Sequence, residues 1–374
     1  MHNSFSTMAL TSLLHLLLLL SSLHVLATVA RATPGADSLA GEANSISPKA
    51  YLVHYWNKQI TNNLPKPPIL FSKGSPLTAA SATIFAEFVA KGAISDHLLS
   101  FCEEAQLLCF MNSSSDGVAA TNDRKAYQKG YGGPPAPPDT IVATDDMKVN
   151  GGVEQGEFFR ESMLKSGNVI PMPDIRDNLP KRSFLPRCIS SELPFSTSKL
   201  AELKQIFHAI ENSAMGKIMA QTLGECEGAG VQDETKRCVA SIEDMIDFAT
   251  SVLGHDVMVR STESARGSKQ EVLIGLVKRI EGSEVSKPVA CHQSLFPYIV
   301  YYCHAFPNVR VYEADILDPK SKAKINHGVA ICHMNTSTWS PTHESFLLLG
   351  SGPGQIEVCH WMYENSLIWT IAKS

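Results

Sequence analysis

Residues 289–304 read VACHQSLFPYIVYYCH, a strand-like stretch that carries a Cys-His dipeptide near each end. Two more dipeptides follow in the last third of the chain, so the pairs are Cys291-His292, Cys303-His304, Cys332-His333 and Cys359-His360. Their spacing is C-H-x10-C-H-x27-C-H-x25-C-H. Because the 374 residues include only nine Cys and 13 His, chance placement would rarely give this pattern. The rest of the sequence is best interpreted around this repeat.

The residues before each dipeptide are mostly β-branched or aromatic, which predicts strands at 289–290, 298–302, 329–331 and 356–358. Side chains alternate across a strand, so an adjacent Cys and His point to opposite faces of a sheet. The simplest arrangement places the four Cys on one side and the four His on the other. The thiols would then form two disulfides, as secreted proteins commonly do, and the imidazoles would be free to converge.

A nitrogen-only metal site is the chemistry that this arrangement favours. With the cysteines oxidised, neutral imidazoles suit Cu(II), and zinc is the second choice. We therefore predict a metal site formed by His292, His304, His333 and His360. The alternative is that each imidazole is an independent strand residue with its own partners, in which case the chain has no cofactor.

The four-fold repeat, closed by Trp361, resembles the BURP domain of plant secreted proteins. Further landmarks of that family are Phe158-Phe159, Phe184-Leu185-Pro186-Arg187, Pro194-Phe195-Ser196 and the Cys226/Cys238 pair ahead of Ser241-Ile242-Glu243. The resemblance covers about residues 157–374. It also implies that Cys188 is the unpaired cysteine, because BURP domains do not usually carry a Cys at that place.

Cysteine spacing gives further expectations. Cys226 and Cys238 flank a Gly-containing loop, and we expect them to be bonded, which would stabilise the fold by about 3 kcal/mol. Three pairings remain open for Cys291, Cys303, Cys332 and Cys359.

The region around Cys102 and Cys109 is predicted to be helical. A continuous helix would hold their Cα atoms about 10 Å apart, too far for a bond. Either the helix ends between them or each cysteine pairs elsewhere.

The chain begins with a predicted secretory signal peptide at residues 1–32. Residues 13–20 form an apolar core too short to span a bilayer, and Ala30-Arg31-Ala32 supplies a cleavage site. A membrane anchor is the alternative, but no other long apolar run follows, so we expect no membrane association after cleavage. Asn112 and Asn335 each open a sequon for N-glycosylation.

Four regions are predicted: the signal peptide at 1–32, a helical region at 33–129, a Gly/Pro-rich linker at 130–156 and the BURP-like domain at 157–374. The linker contains GGPPAPP, which cannot hold a helix or an interior strand. In the helical region, residues 55–60 (YWNKQI) resemble the amino-terminal part of the non-catalytic β-subunit of polygalacturonase, although its aromatic, Gly-rich repeats are missing here.

The fold class expected is α+β: helices first, then a mostly antiparallel β core. Thr78 is a predicted cap of a helix in the first region, and Ser241 with Asp244 predicts a capped helix that ends at Gly254. From Val257 the pattern becomes β. The predicted strands beyond those with the dipeptides are at 257–259, 272–274, 309–312, 346–349 and 368–371.

Charge and motifs restrict the function. A net charge of −5 argues against nucleic acid as an electrostatic partner. The chain also lacks the landmarks of polygalacturonases: Asp145-Asp146 lies in the linker, Asn326-His327-Gly328 lacks the leading Gly of Gly-His-Gly, and Arg279-Ile280 is followed by Glu281.

Three classes of function remain. The resemblance implies a secreted, non-catalytic protein of the apoplast and cell wall that binds pectin or a polygalacturonase and affects pectin metabolism, development or stress responses. The second class is a copper-dependent peptide cyclase, since some BURP domains crosslink Tyr or Trp side chains within their own chain. The third is a structural secreted protein without a metal site.

Overall fold

A computed structural model describes residues 46–109, 154–280 and 287–372. The predicted signal peptide, most of the predicted linker and the sequon at Asn112 lie outside these ranges. In the described part of the chain, no helix combines the length and hydropathy needed to cross a membrane.

The first segment is helical, and two of its helices begin at polar caps. Ser47 accepts a hydrogen bond from the Ala50 amide ahead of one helix, and Thr78 accepts one from Ser81 ahead of another, as predicted for Thr78. The elements are α1 (Pro48–Gln59), α2 (Pro68–Ser72), α3 (Ala79–Ala90), a 3-10 turn (Ile94–His97) and α4 (Leu98–Glu104).

A disulfide closes the end of this segment. Helix α4 ends at Glu104, and Gln106 adopts a left-handed φ of 53°, which turns the chain back. The Cα atoms of Cys102 and Cys109 are therefore 6.0 Å apart and the two cysteines are bonded. Of the two alternatives open from the sequence, the helix ending between the cysteines is the correct one.

The second segment places most of its helices before its strands. They are α5 (Arg187–Ser190), α6 (Leu200–Ile206), α7 (Ala214–Glu227), α8 (Ile242–Leu253) and, late in the chain, α9 (Glu344–Leu349), with 3-10 turns at Glu161–Met163 and Thr197–Lys199. Ser241 caps α8 by accepting from the Asp244 amide at 3.0 Å, as predicted.

One strand prediction was wrong, because residues 346–349 belong to helix α9. The His343 side chain caps this helix and Gly350, with φ of 62°, ends it in the left-handed region. A short apolar run has the same composition in a buried strand and in a short helix, and here the local caps decide.

The strands form two antiparallel sheets, which confirms the α+β class. They are β1 (Val169–Met172), β2 (Thr235–Val239), β3 (Val257–Arg260), β4 (Gln270–Arg279), β5 (Val289–Ser294), β6 (Val300–Ala305), β7 (Val309–Leu317), β8 (Lys324–His333), β9 (Val358–Trp361) and β10 (Leu367–Ile371). The first sheet has the order β1-β4-β7-β8-β9, and the second has the order β2-β6-β5-β10-β3.

The two sheets pack face to face. Even-numbered side chains of the second sheet, such as Ala290 and Ile368, meet odd-numbered side chains of the first, such as Val311, Val329 and Ile331, in one buried cluster. In the second sheet and in β7 and β8 the other parity faces outward, whereas in β9 the odd-numbered Cys359 and Trp361 face outward. The strand period of two residues is therefore maintained through both central regions.

Helices α1 and α8 cover the outer face of the second sheet. Trp56 of α1 is 4% exposed, and its ring centroid lies 5.9 Å from Trp369 of β10 and 5.6 Å from Phe71. Tyr55 donates a hydrogen bond to Asp247 of α8. The first helical segment thus shares its core with the later strands, and the described residues from Ser47 onward form one compact unit.

Replacing Trp56 with Ala should lower the free energy of unfolding by about 3–5 kcal/mol, because it empties a large site beneath the second sheet. Val53, on the same helix, is 38% exposed, so Val53→Ala should change stability by less than about 0.5 kcal/mol. Guanidinium unfolding with the disulfides intact measures both. Equal stability of the two variants would contradict a shared core.

Candidate functional site

The Cys-His dipeptides lie on paired strands, and the register brings their cysteines together. Cys291 of β5 is opposite Cys303 of β6, and Cys332 of β8 is opposite Cys359 of β9. Each pair is disulfide-bonded with its Cα atoms 4.0 Å apart. Of the three pairings open from the sequence, the structure contains the one that joins neighbouring strands.

The sequence suggested that the four cysteines would lie on one side of a sheet. In the structure they do not share one side. The Cys291–Cys303 bond lies in the core under the helices, whereas the Cys332–Cys359 bond lies in the cluster with Trp361 on the far face of the first sheet. The reason is that the dipeptides belong to two sheets, so the disulfides occupy the two outer faces and the histidines lie between the sheets.

The remaining cysteines complete the pattern. Cys226, near the end of α7, is bonded to Cys238 of β2, with 5.5 Å between their Cα atoms. Cys188 is an exposed free thiol. Disulfides at this density are typical of a protein that folds in an oxidising compartment.

The four imidazoles form a continuous cluster. Ring centroids are 5.4 Å apart for His292 and His304, 6.2 Å for His292 and His360, and 5.7 Å for His333 and His360. His304, His333 and His360 are all at least nine-tenths buried. Strand alternation therefore brings together the four residues that the sequence singled out.

A small cavity of about 10 Å³ adjoins the cluster. His304 and His333 line it together with apolar side chains that include Phe306 and Ile331. This volume is close to the minimum that holds one water molecule. The space between the sheets at this point is therefore narrow and mostly apolar.

Neighbouring acceptors fix the protons on two of the rings. The Nδ1 atom of His304 lies 3.0 Å from a carboxylate oxygen of Glu234, and Nδ1 of His360 lies 3.2 Å from the Trp361 carbonyl oxygen. Since both partners can only accept, Nδ1 must be the donor, and in the neutral form of either ring Nε2 carries the lone pair. The Nδ1 atom of His292 contacts the Ser366 hydroxyl at 3.3 Å.

Burial keeps three of the imidazoles, those of His292, His333 and His360, neutral. Loss of water contact, with repulsion from the other rings, lowers the pKa of His292 and of His333 well below the usual value. Burial also lowers the pKa of His360 to about 3. Neutral imidazole is the form that binds a metal ion.

The donor set fits a metal ion in chemistry. The buried Nε2 of His304 has no hydrogen-bond partner among the described residues, and a ligand bond to a metal would satisfy it. Two imidazoles bound at about 2.0 Å have ring centroids roughly 5 to 6 Å apart, close to the separations found here. As they stand, however, no three His, Cys, Asp or Glu side chains within the described ranges form a group that could hold a metal. Metal binding stays a prediction.

Sequence reasoning missed three residues at the site. Glu234 lies far from His304 in the chain, so only the β2–β6 pairing reveals the contact. Trp339 and His343 come from the segment between β8 and β9, which was wrongly predicted to contain a strand at 346–349. The Trp339 ring centroid lies 5.1 Å from His333 and 4.6 Å from His343.

His343 contributes to the fold of this segment. Its Nδ1 accepts a hydrogen bond from the Ser345 amide at 3.2 Å, which caps α9. Burial lowers the pKa of His343 to about 4. The predicted sequon residue Asn335 lies in the same segment, where it is exposed and its Oδ1 accepts from the Ser337 amide at 3.1 Å.

Comparison with known families identifies the class. The BURP domain family model matches residues 157–371, more than half of the chain. The chain belongs to the BURP-domain family.

Its relatives refine this assignment. The chain is 63% identical over 233 residues to the polygalacturonase-1 non-catalytic subunit beta of Solanum lycopersicum, which is 60% of this chain and 37% of that protein. It is 64% identical over 224 residues to polygalacturonase 1 beta-like protein 1 of Arabidopsis thaliana, or 60% of this chain and 36% of that one. The match thus spans little more than a third of these relatives. BURP domain-containing protein 16 of Oryza sativa subsp. japonica is 40% identical over 339 residues, 89% of this chain and 92% of that protein.

Acid should destabilise the metal-free protein. His292, His333, His343 and His360 have lowered pKa values when folded, so the unfolded chain binds more protons once the pH falls below about 6.5. The stability is present above that pH and is lost as the pH falls, by up to about 1.4 kcal/mol per pH unit for each histidine.

Unfolding free energies measured with a chelator between pH 7.5 and 5.5 test this expectation. His343→Gln should remove one histidine's share of the slope, whereas His208→Gln, at an exposed site, should leave the slope unchanged. A flat profile over this range would show that the cluster is not held neutral.

Proposed function

We propose that this chain is a secreted protein of the plant apoplast and cell wall that acts with a polygalacturonase without cleaving pectin itself. The observation that carries the proposal is 63% identity over 233 residues to a protein named as a non-catalytic polygalacturonase subunit. The identity extends over 60% of this chain. Association with the same enzyme class, or with its pectin substrate, is therefore the role that the chain supports best.

The structural setting of one motif supports a non-catalytic role. The Asn326 side chain accepts from the Ser264 amide at 3.0 Å and donates to the Arg266 carbonyl at 3.0 Å, which ties β8 to the loop after β3. A Cβ atom at Gly328 would lie 2.9 Å from the Trp361 ring, so glycine is needed there for packing. This partial likeness to a polygalacturonase landmark thus has a structural explanation.

Secretion is supported by two separate features. Residues 1–32 have the sequence of a signal peptide, and the described cysteines form four disulfides, which the cytosol would not maintain. Glycosylation at Asn112 and at the exposed Asn335 belongs to the same proposal.

Purified secreted chain should release no reducing ends from pectin, and it should retain a polygalacturonase or de-esterified pectin on an affinity support. The same chain after reduction and alkylation is the matched control and should retain neither. Glycosidic cleavage by the pure chain would refute the non-catalytic role. A chain that bound neither the enzyme nor pectin would refute the association. Retention of a tagged chain in the cytosol would refute secretion.

A second candidate function is copper-dependent oxidation, including peptide cyclisation at Tyr or Trp. Its support is the cluster of four imidazoles between the sheets, since the cysteines beside them are bonded to one another and cannot compete for the ion. The residues that would hold the ion are His292, His304, His333 and His360. Bound copper would supply one-electron redox chemistry. The chain's own contribution would be to exclude water and to keep each ring neutral and oriented.

Metal analysis of protein purified through its native secretory route tests the second candidate. We expect near-stoichiometric copper, with at least a tenfold loss of affinity in His304→Ala. His343→Gln is the matched control, because the Nδ1 of His343 is committed to the helix cap, and it should keep its copper. Absence of copper in the native protein would reject the site. Loss of copper in the control alone would reject this choice of ligands.

A further inference from the structure

The side chain of Glu234 is wholly buried beside the histidine cluster. One carboxylate oxygen accepts from the Tyr302 hydroxyl at 2.8 Å and from Nδ1 of His304 at 3.0 Å. The other accepts from the Val231 amide at 3.0 Å. Burying a carboxylate costs free energy unless hydrogen bonds compensate for the lost water. The three donors directed at Glu234 provide that compensation and fix the position of the side chain.

We propose that Glu234 is the positioning residue of the histidine cluster: its carboxylate holds His304 as the Nδ1–H tautomer and so leaves the Nε2 lone pair available between the sheets. This inference rests on the proposed metal site and names the residue that prepares it. A lone pair at Nε2 is what a metal ion or another electrophile needs, and a proton there would block it.

The geometry around His304 places a proton on its Nδ1 atom. An ionised carboxylate accepts hydrogen bonds and cannot donate one, so the proton in the 3.0 Å contact belongs to His304 Nδ1. In a neutral ring, a proton on Nδ1 leaves Nε2 with its lone pair. That atom is buried and, among the described residues, has no hydrogen-bond partner. His304 also lines the small cavity that His333 lines from the other sheet.

The loop before β2 is built around the carboxylate. The bond from Cys226 to Cys238 closes the loop, and Asp233 adopts a left-handed φ of 66° that turns the chain into Glu234. A Cβ atom at Gly230 would lie 3.0 Å from the Glu234 carboxylate, so the glycine leaves room for it.

Strand pairing completes the placement. Lys236 of β2 pairs with His304 of β6, which puts Glu234 two residues away at the edge of the ladder. The loop disulfide and the strand register therefore act on the same side chain. From the sequence, the Cys226–Cys238 bond was expected only to stabilise the fold. In the structure it also helps to fix the position of this carboxylate.

A purely structural role for Glu234 predicts a different result from a positioning role. If the carboxylate only fills the core, its removal lowers stability and leaves the proton of His304 where it was. If it positions the ring, its removal lets the proton move to Nε2. The tautomer of His304 in the metal-free protein separates the two roles, and this measurement does not depend on any metal.

Long-range ¹H–¹⁵N NMR on the ¹⁵N-labelled, metal-free full chain is the test. The native protein should show a pyrrole-type Nδ1 and a pyridine-type Nε2 for His304. Glu234→Ala should convert the ring to the Nε2–H tautomer or to a mixture. Glu234→Gln, whose amide oxygen can still accept, should retain the native tautomer. Glu227→Gln changes an exposed carboxylate of the same loop, which bonds Thr197, and should have no effect.

Copper affinity, measured by competition with a chelator, is the second readout. Glu234→Ala should weaken binding by about 10- to 100-fold, with partial recovery in Glu234→Gln. A native His304 with its proton on Nε2 would overturn the proposal even if Glu234→Ala failed to fold. An unchanged tautomer in a folded Glu234→Ala would overturn it as well. If the tautomer shifts as expected but the native chain binds no copper, the positioning role stands and the metal site is rejected.

Discussion

The structure depends on one local constraint, the opposite orientation of adjacent side chains in a strand. Each Cys-His dipeptide sends its thiol outward and its imidazole inward. Cross-strand disulfides between Cys291 and Cys303, and between Cys332 and Cys359, then fix the strand register. Because a slip of one residue would exchange the two faces, these bonds also hold the histidines between the sheets. The disulfides on the outer faces thus keep the polar histidines in an otherwise apolar interior.

The helical segment at the start of the described chain is part of this same construction. Trp56 and Leu52 of α1 pack in the cluster that contains the Cys291–Cys303 bond. Hydrogen bonds from the Leu108 amide to the Pro297 carbonyl and from the Ser183 amide to the Gln106 carbonyl join the segment to later residues. The second sheet would otherwise expose a large apolar face to water, and such faces on soluble proteins are rare. The BURP-domain match begins at residue 157, but the core it belongs to includes α1.

Local signals in the sequence predicted much of this arrangement, and non-local contacts account for what they missed. The α+β class, the caps at Thr78 and Ser241 and the grouping of the four histidines all follow from periodicity and spacing. Residues 346–349 were misassigned because an apolar run does not distinguish a strand from a one-turn helix. The division of the cysteines between two faces required knowledge of the sheet order. Glu234 and Trp339 required the pairing of distant segments, for which a single sequence gives no signal.

The Cys332–Cys359 bond also gives the domain a separate property. It closes residues 333–358 into a ring whose ends are held by β8 and β9, with the exposed Asn335, helix α9 and the outward-facing Leu347 in between. In a ring of this kind, doubling the length costs only about 0.6 kcal/mol of closure entropy, because that cost grows with the logarithm of the loop length. A cut within the ring would leave both pieces attached to the sandwich. Away from Trp339 and His343, this segment can therefore accept insertions or proteolytic nicks while the strands beneath it keep their register.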